Sequence, residues 1–315
     1  MIDSGAGGGG PYLGLEIGGT KLQVFTGDAS ARIVERHRFP VEPSSGGAGI
    51  RAQLEQIIPA LAKRIRPAAV GVGFGGPVDW KTGRICCSHQ IEGWSDFPLA
   101  AWLSELAQAP VMVDNDANLG ALGEAVRGAG AGCNPVFYVT LGSGVGGGLV
   151  VDGKVFHGAP PGESEIGHVR LDRSGTLLES RCSGWAVDAK IRAAVSRNPD
   201  SDLARCVGKA GTHEAKFLNA ALSQKDPLAA AILEEAAEDL AFGLSHVVHL
   251  FHPAIIVLGG GLALVGEPVR AAVERLAPRF IMEAFAPGPR IVLARLAEDA
   301  VPVGALCLAL ERPSA

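Results

Sequence analysis

The residues most able to do chemistry are Asp114-Asn115-Asp116-Ala117-Asn118, a cluster of carboxylates and amides that follows the apolar run Pro110 to Val113. A carboxylate held against a hydroxyl can take its proton as the oxygen attacks an electrophile. Asp and Asn at a strand-to-helix junction also serve as caps for free backbone N–H groups, so Asp116 can be read either as a cap or as a base. What tips the reading toward chemistry lies elsewhere in the chain. Gly18-Gly19-Thr20-Lys21 and Gly142-Ser143-Gly144 are glycine turns whose backbone N–H groups can hold phosphate oxygens, the first with a hydroxyl and an ammonium beside it. Glu165 and His168, three residues apart, and Glu179 could hydrogen-bond a polyol or be solvated loop residues.

The elements that must position these groups come in two similar halves. Tyr12 to Phe25 reads as strand, glycine turn, strand, with the paired glycines suited to positive φ, and Arg32 to Phe39 as a third strand. A helix from Gly49 to Ile65 and a buried strand from Ala68 to Phe74 follow, in the βββαβ order of a mixed sheet covered by helices. A polar loop from Ser88 to Trp94 and a helix from Leu99 to Ala107 lead to the Asp116 strand, and Ala117 to Arg127 has helical spacing. Val136 to Val151 then repeats strand, glycine turn, strand, and Asp152-Gly153-Lys154 turns into a third strand. Two such openings predict a duplicated α/β domain whose glycine turns face one cleft, with Asp116 between the halves. A helix from Gly184 to Val195, a long apolar helix from Leu228 to Phe251 opened by Asp226-Pro227, a strand at Ile255 to Leu258 and a further helix opened by Gly259-Gly260-Gly261-Leu262 follow. Ile291 to Leu293 is a strand and Val303 to Glu311 a terminal helix.

Composition removes several classes. A chain of 315 residues, 47% hydrophobic and 19% charged, can bury two cores, and the Gly-rich leader 1–10 is expected to be disordered. A net charge of -5 gives no general attraction for nucleic acid, and the leader is too short for a helix-turn-helix. Six cysteines without a C-x-x-C pair, and no signal-type segment, fit reduced thiols in the cytoplasm; Cys86 and Cys87 read as strand neighbours on opposite faces. The uncharged stretch from Gly128 to Val151 is too rich in glycine for a membrane span. His246, His249 and His252 wrap around their helix rather than sharing a face, which speaks against a metal cluster. Gly142/Gly144/Gly147 and Gly71/Gly73/Gly76 match G-x-G-x-x-G, but neither opens a helix at its third glycine, so a dinucleotide fingerprint is rejected, and no P-loop or protein-kinase signature is present.

Five motifs in this order resemble the ROK family of sugar kinases and repressors, within the superfamily of actin, hexokinase and the heat-shock chaperone ATPases. They are Ile17-Gly18-Gly19-Thr20-Lys21, Asn115-Asp116-Ala117-Asn118, Gly142 to Gly148, Glu165-Ile166-Gly167-His168 and Leu258-Gly259-Gly260-Gly261-Leu262, and the likeness runs from about Tyr12 to Leu310. The resemblance implies two ribonuclease H-like (actin-like ATPase) α/β domains, 11–114 and 115–302, the first completed by a helix at 303–312, with a cleft between them. It implies a cytoplasmic, glucokinase-like kinase that uses ATP and Mg²⁺ on a hexose, feeds glycolysis and forms a homodimer. Asp116 would be the general base, and Gly76, Gln90, Asn115, Glu165, His168 and Glu179 would hold the sugar. Gly18, Gly19, Thr20, Lys21, Ser143 and Gly144 would meet the phosphates, Gly260, Gly261 and Leu262 the adenosine, and Glu16, through water, the Mg²⁺.

Three departures from the family pattern touch that site. Glu16 stands where the family has Asp, Gln90 where it usually has Asn, and Val169 to Leu178 lacks the cysteines of the family's zinc cluster, so no structural zinc is expected. A catalytically inactive sugar-binding or regulatory protein is therefore the competing reading, and N-acylhexosamine, mannose and fructose compete with glucose as the sugar.

Overall fold

The computed structural model describes residues 10–19, 21–88, 92–162 and 164–311, and only the backbone of Pro43. In chain order, β1 (Tyr12–Ile17), β2 (Leu22–Gly27) and β3 (Ile33–Phe39) precede α1 (Gly46–Ile65) and β4 (Val70–Phe74). A short hairpin of β5 (Val78–Asp79) and β6 (Arg84–Ile85) leads to α2 (Leu99–Ala107), β7 (Val111–Asn115) and α3 (Asp116–Arg127). The second series is β8 (Val136–Leu141), β9 (Val145–Val151), β10 (Lys154–Val155), α4 (Glu179–Cys182), α5 (Gly184–Arg197), α6 (Asp202–Val207), α7 (Leu218–Ser223) and α8 (Pro227–Phe251). β11 (Ile255–Gly259), α9 (Glu267–Leu276), β12 (Arg290–Leu293) and α10 (Ala300–Leu310) complete it.

The chain divides into two compact units. Unit 1 holds the described residues up to Gly123 with 156–162 and 299–311; unit 2 holds Glu124–Val155 and Ser164–Glu298. The sequence boundary at 114/115 thus falls earlier than the exchange at Gly123/Glu124, because Asp116 to Gly123 pack with the first sheet. The leader lies largely outside the described residues, as do Thr20, Gln90, Glu163 and the last residue of the expected terminal helix.

Each unit carries one mixed five-stranded sheet, ordered β3-β2-β1-β4-β7 in unit 1 and β10-β9-β8-β11-β12 in unit 2. The first three strands of each are antiparallel and the last two run parallel to the first, which is the duplication that the paired hairpins predict. β10 is two residues long, and β6 stops at Ile85, so Cys86 and Cys87 belong to a loop and not to a strand.

In unit 1, Leu13, Leu15, Ile17, Val70 and Val72 meet Ile50, Leu54 and Ile58 of α1 and Leu99 and Leu103 of α2 in one core. The opposite sheet face carries α10 at unusually close range. A Cβ on Gly71 of β4 would overlap the Ala305 carbonyl, and one on Gly304 of α10 would overlap the Leu119 carbonyl of α3. Gly73 is crowded by the Val301 and Leu119 side chains. The G-x-G of this strand is therefore a packing surface for helices.

Unit 2 builds its core from β8, β9 and β11 against α5, α8 and α9. Asp226 caps α8 by accepting from Ala229 N at 2.8 Å and also accepts from Leu203 N at 2.9 Å. Burial opposes its charge, but these backbone donors outweigh it and hold its pKa below the ordinary carboxylate value. The Val169 to Leu178 segment closes on itself through Leu171 N to Thr176 O at 2.8 Å and Leu178 N to Val169 O at 2.9 Å. Glu124, fully buried, accepts from Leu296 N at 2.7 Å and Ala129 N at 2.6 Å. No helix among the described residues is long and apolar enough to cross a membrane.

Two stability measurements test this packing. Gly304→Ala should cost about 1–3 kcal/mol in urea unfolding, since the added methyl must displace backbone rather than a side chain. Asp226→Ala should cost about 1–2 kcal/mol at neutral pH. Because the native pKa is depressed, the stabilisation is present above the unfolded value and lost as pH falls through the native one, so the gap to the parent should narrow below about pH 4.

Candidate active site

In unit 1 the strand β7 runs two residues beyond its apolar Val111 to Val113, carrying Asp114 and Asn115 to the first residue of α3. Asn115 is the cap: its Oδ1 accepts from Ala117 N at 2.8 Å and Asn118 N at 3.3 Å. Its Nδ2 donates to the Gly76 carbonyl at 3.2 Å, so Gly76 contributes through its backbone. With the cap supplied by its neighbour, the half-buried carboxylate of Asp116 has a different place. A Cβ built on Gly75 would stand 3.4 Å from Asp116 Oδ2 and 3.4 Å from Gly18 Cα, so the carboxylate and the turn after β1 both lie beside Gly75.

That turn is tighter than the sequence implied. Gly18 N donates to Lys21 O at 2.7 Å, which uses one of the N–H groups expected to face phosphate, and Gly18 does not take a positive φ. Gly19 is half-buried and Lys21 exposed. Glu16 lies one strand over from Gly73 in register, and a Cβ on Gly73 would meet Asp116 Cα at 3.8 Å. Paired residues share a sheet face, so Glu16 belongs to the face covered by the start of α3. Its carboxylate, 7% exposed, accepts from Gln23 Nε2, and Gln23 Oε1 is buried with no hydrogen-bond partner among the described residues.

In unit 2 the polar residues gather at the start of β9. The turn Gly142-Ser143-Gly144 is closed by Gly142 N to Gly144 O at 2.9 Å, and Gly184 N, the first residue of α5, donates to Gly142 O at 2.7 Å. Glu179 Oε2 accepts from Val145 N at 2.9 Å, placing this carboxylate against the glycine turn. Glu165 and His168 are exposed at the two ends of one 3-10 turn, where residues three apart eclipse. Gly167 lets that turn lie directly on the Val145 carbonyl. Gly260, at φ 81°, is pressed against Leu141 where β8 enters the turn, and a Cβ on Gly261 would meet nothing within 4 Å.

Some expectations need correction. The glycine triplet opens a 3-10 turn, Leu262–Val265, rather than a helix, and α9 starts only after Gly266. Leu262 is 3% exposed and packs in the core, so any contact with a nucleotide would fall to its backbone. His246 packs on Phe242, His249 Nε2 accepts from Met282 N at 3.1 Å with its ring 6.1 Å from Phe285, and His252 stacks on Phe285 at 4.1 Å.

Sequence reasoning missed a layer behind Asn115. Asp114, 1% exposed, accepts from Asn115 N at 2.7 Å and Asn118 Nδ2 at 2.9 Å through Oδ1, and its Oδ2 lies 2.7 Å from His157 Nε2. The His157 ring stacks on Trp80 at 4.2 Å and 15°. No local spacing signals a pair 43 positions apart.

The family description "ROK family" matches residues 12–312. The chain is 31% identical over 310 residues to a glucokinase of Halalkalibacterium halodurans, covering 93% of each. It is 31% identical over 290 residues to an N-acetyl-D-glucosamine kinase of Salmonella paratyphi A, covering 90% of this chain and 94% of the relative. The crystal structure of a ROK family glucokinase from Streptomyces griseus in complex with glucose and AMPPNP has TM-score 0.83 to this chain at 29% identity, covering 96% and 100%. These likenesses support a sugar kinase, and the two repeated sheets are those of the actin/hexokinase-like α/β fold. The chain belongs to the ROK family.

Proposed function

We propose that this protein is an ATP-dependent hexose kinase in which Asp116 takes the proton of a sugar hydroxyl as that oxygen attacks the γ-phosphorus of ATP. The observation that carries the reading is the division of labour at the start of α3: Asn115 caps the helix, and the Asp116 carboxylate stands by Gly75 and Gly18. A cap would have its oxygen on the N–H groups of the next turn, and that position is already filled by Asn115.

In this reading Asn115, the Gly76 carbonyl, Glu165, His168 and Glu179 are the groups that would hydrogen-bond the sugar. Glu165 and His168 offer an acceptor and an imidazole from one turn, a pairing suited to adjacent hydroxyls. Backbone N–H groups of the turns after β1 and β8 would meet the phosphates, and Gly261, with open space where a Cβ would stand, leaves room for adenosine beside Gly260. A base aligned with its hydroxyl contributes about 10²–10⁴-fold, and alignment with the γ-phosphate the larger remainder. The transferred proton rests on Asp116 and the charge passes to ADP.

Glu16 fits a place near Mg²⁺ on its chemistry: it is a buried oxygen donor, and beside it is the Gln23 carbonyl oxygen, which has no partner among the described residues. When bound, Mg²⁺ would draw negative charge from the phosphates of ATP. Glucose is the first sugar to try, and N-acetylglucosamine, mannose and fructose complete the panel.

ADP release measured with ATP, Mg²⁺ and that panel tests the assignment. Asp116→Asn should lower kcat by about 10²–10⁴-fold while the sugar dissociation constant stays within a few-fold. Gly261→Ala should leave Tm unchanged and raise the KM for ATP without changing that for sugar. If no hexose turns over but one raises Tm, the kinase assignment fails in favour of a sugar-binding protein.

A further inference from the structure

We infer that His157 is a positioning residue for Asp116, acting through Asp114; this rests on the kinase reading above. The stretch 156–162 leaves β10, packs with unit 1 and returns to unit 2 at Ser164. His157 is the residue of this strap that meets buried polar structure. Its ring lies flat on Trp80, which is presented by the turn after β5, and that turn is fixed by Asp79 accepting from Lys81 N at 3.1 Å and Thr82 Oγ1 at 2.8 Å. Gly162, at φ 73°, brings the far end of the strap back against the His157 backbone.

The Asp114 carboxylate is thereby held at both oxygens. Oδ1 takes the Asn115 N–H and the Asn118 side-chain amide, and Oδ2 takes the His157 Nε2–H. An ionised carboxylate has only acceptors to offer, so these three donors define its plane. Asn115 and Asn118 are the residues that form the first turn of α3, and Asp116 lies between them. Without the imidazole, the carboxylate is anchored along one edge only. It can then rotate about that edge, carrying Asn118 and the first turn with it. Misplacing a base by an ångström costs about a hundredfold in rate without altering how ATP binds.

The test separates the hydrogen bond from the stacking. His157→Phe keeps a ring on Trp80 and removes the donor, whereas His157→Gln removes the ring and keeps an amide donor of similar reach. His157→Phe should lower kcat by about ten- to a hundredfold with the KM for ATP within about twofold, and His157→Gln should restore most of it. Hydrogen exchange read at the amides of Ala117 and Asn118 should rise about tenfold or more in His157→Phe and remain near the parent in His157→Gln. Unchanged kcat and exchange in His157→Phe would overturn the inference, and with His157→Gln impaired would assign the residue to packing alone; a His157→Gln variant as impaired as His157→Phe would overturn it too, since a retained donor would then restore nothing. If the parent phosphorylates no hexose, the kinase reading is what has failed, and the exchange rates still decide whether His157 fixes the start of α3.

Discussion

A carboxylate with 1% exposure must be met by hydrogen-bond donors, and Asp114 imposes that requirement on everything around it. One oxygen engages the start of α3 and the other an imidazole on a different stretch of chain. The helix that opens with Asp116 is thus set by polar contacts at its first turn and by close backbone packing further along, where Gly304 of α10 meets Leu119. The two constraints are of different kinds. The hydrogen bonds fix rotation of the first turn, and the glycine contact fixes how near the helix lies to its neighbour.

Unit 2 solves a parallel problem with different chemistry. Its glycine turn is held by a carboxylate from α4 and by the first residue of α5, so three elements converge on Gly142 to Val145. The turn bearing Glu165 and His168 rests on the same strand through Gly167. Polar groups are better placed by such a frame than by a loop alone, because strand and helix backbones have little freedom to lose. Glu179 joins the two features, being both a nearby polar group and the acceptor that fixes the start of β9.

Most of the architecture was legible because it is written locally. The strand–glycine–strand pattern occurs twice, Leu119, Leu122 and Val126 keep helical spacing, and Asp226-Pro227 announces α8. The choice between Asn115 and Asp116 as cap was not legible, since both residue types cap helices and stand side by side. His157 and Trp80 gave no signal, because what joins them to Asp114 is the fold itself. Leu262 misled for a similar reason: a glycine triplet before an apolar residue fits a helix start, but the chain needs Leu262 in the core and makes a 3-10 turn instead. The G-x-G of β4 carried a real constraint with a different cause, the close approach of α10 and α3.

The discontinuity of unit 1 bears on how the protein is made. Its sheet strands are all among the first 115 residues, yet the helix that covers the Gly71 and Gly73 face is Ala300–Leu310. During synthesis from the N-terminus, that face emerges from the ribosome long before its cover, while every segment of unit 2 has been made by Glu298. The last helix is apolar on nearly all sides and has no surface of its own to show water. Assembly of the first unit therefore ends with the late docking of a segment nearly two hundred residues downstream of the sheet it closes, and the nascent chain has to keep an uncovered β-sheet face soluble until then.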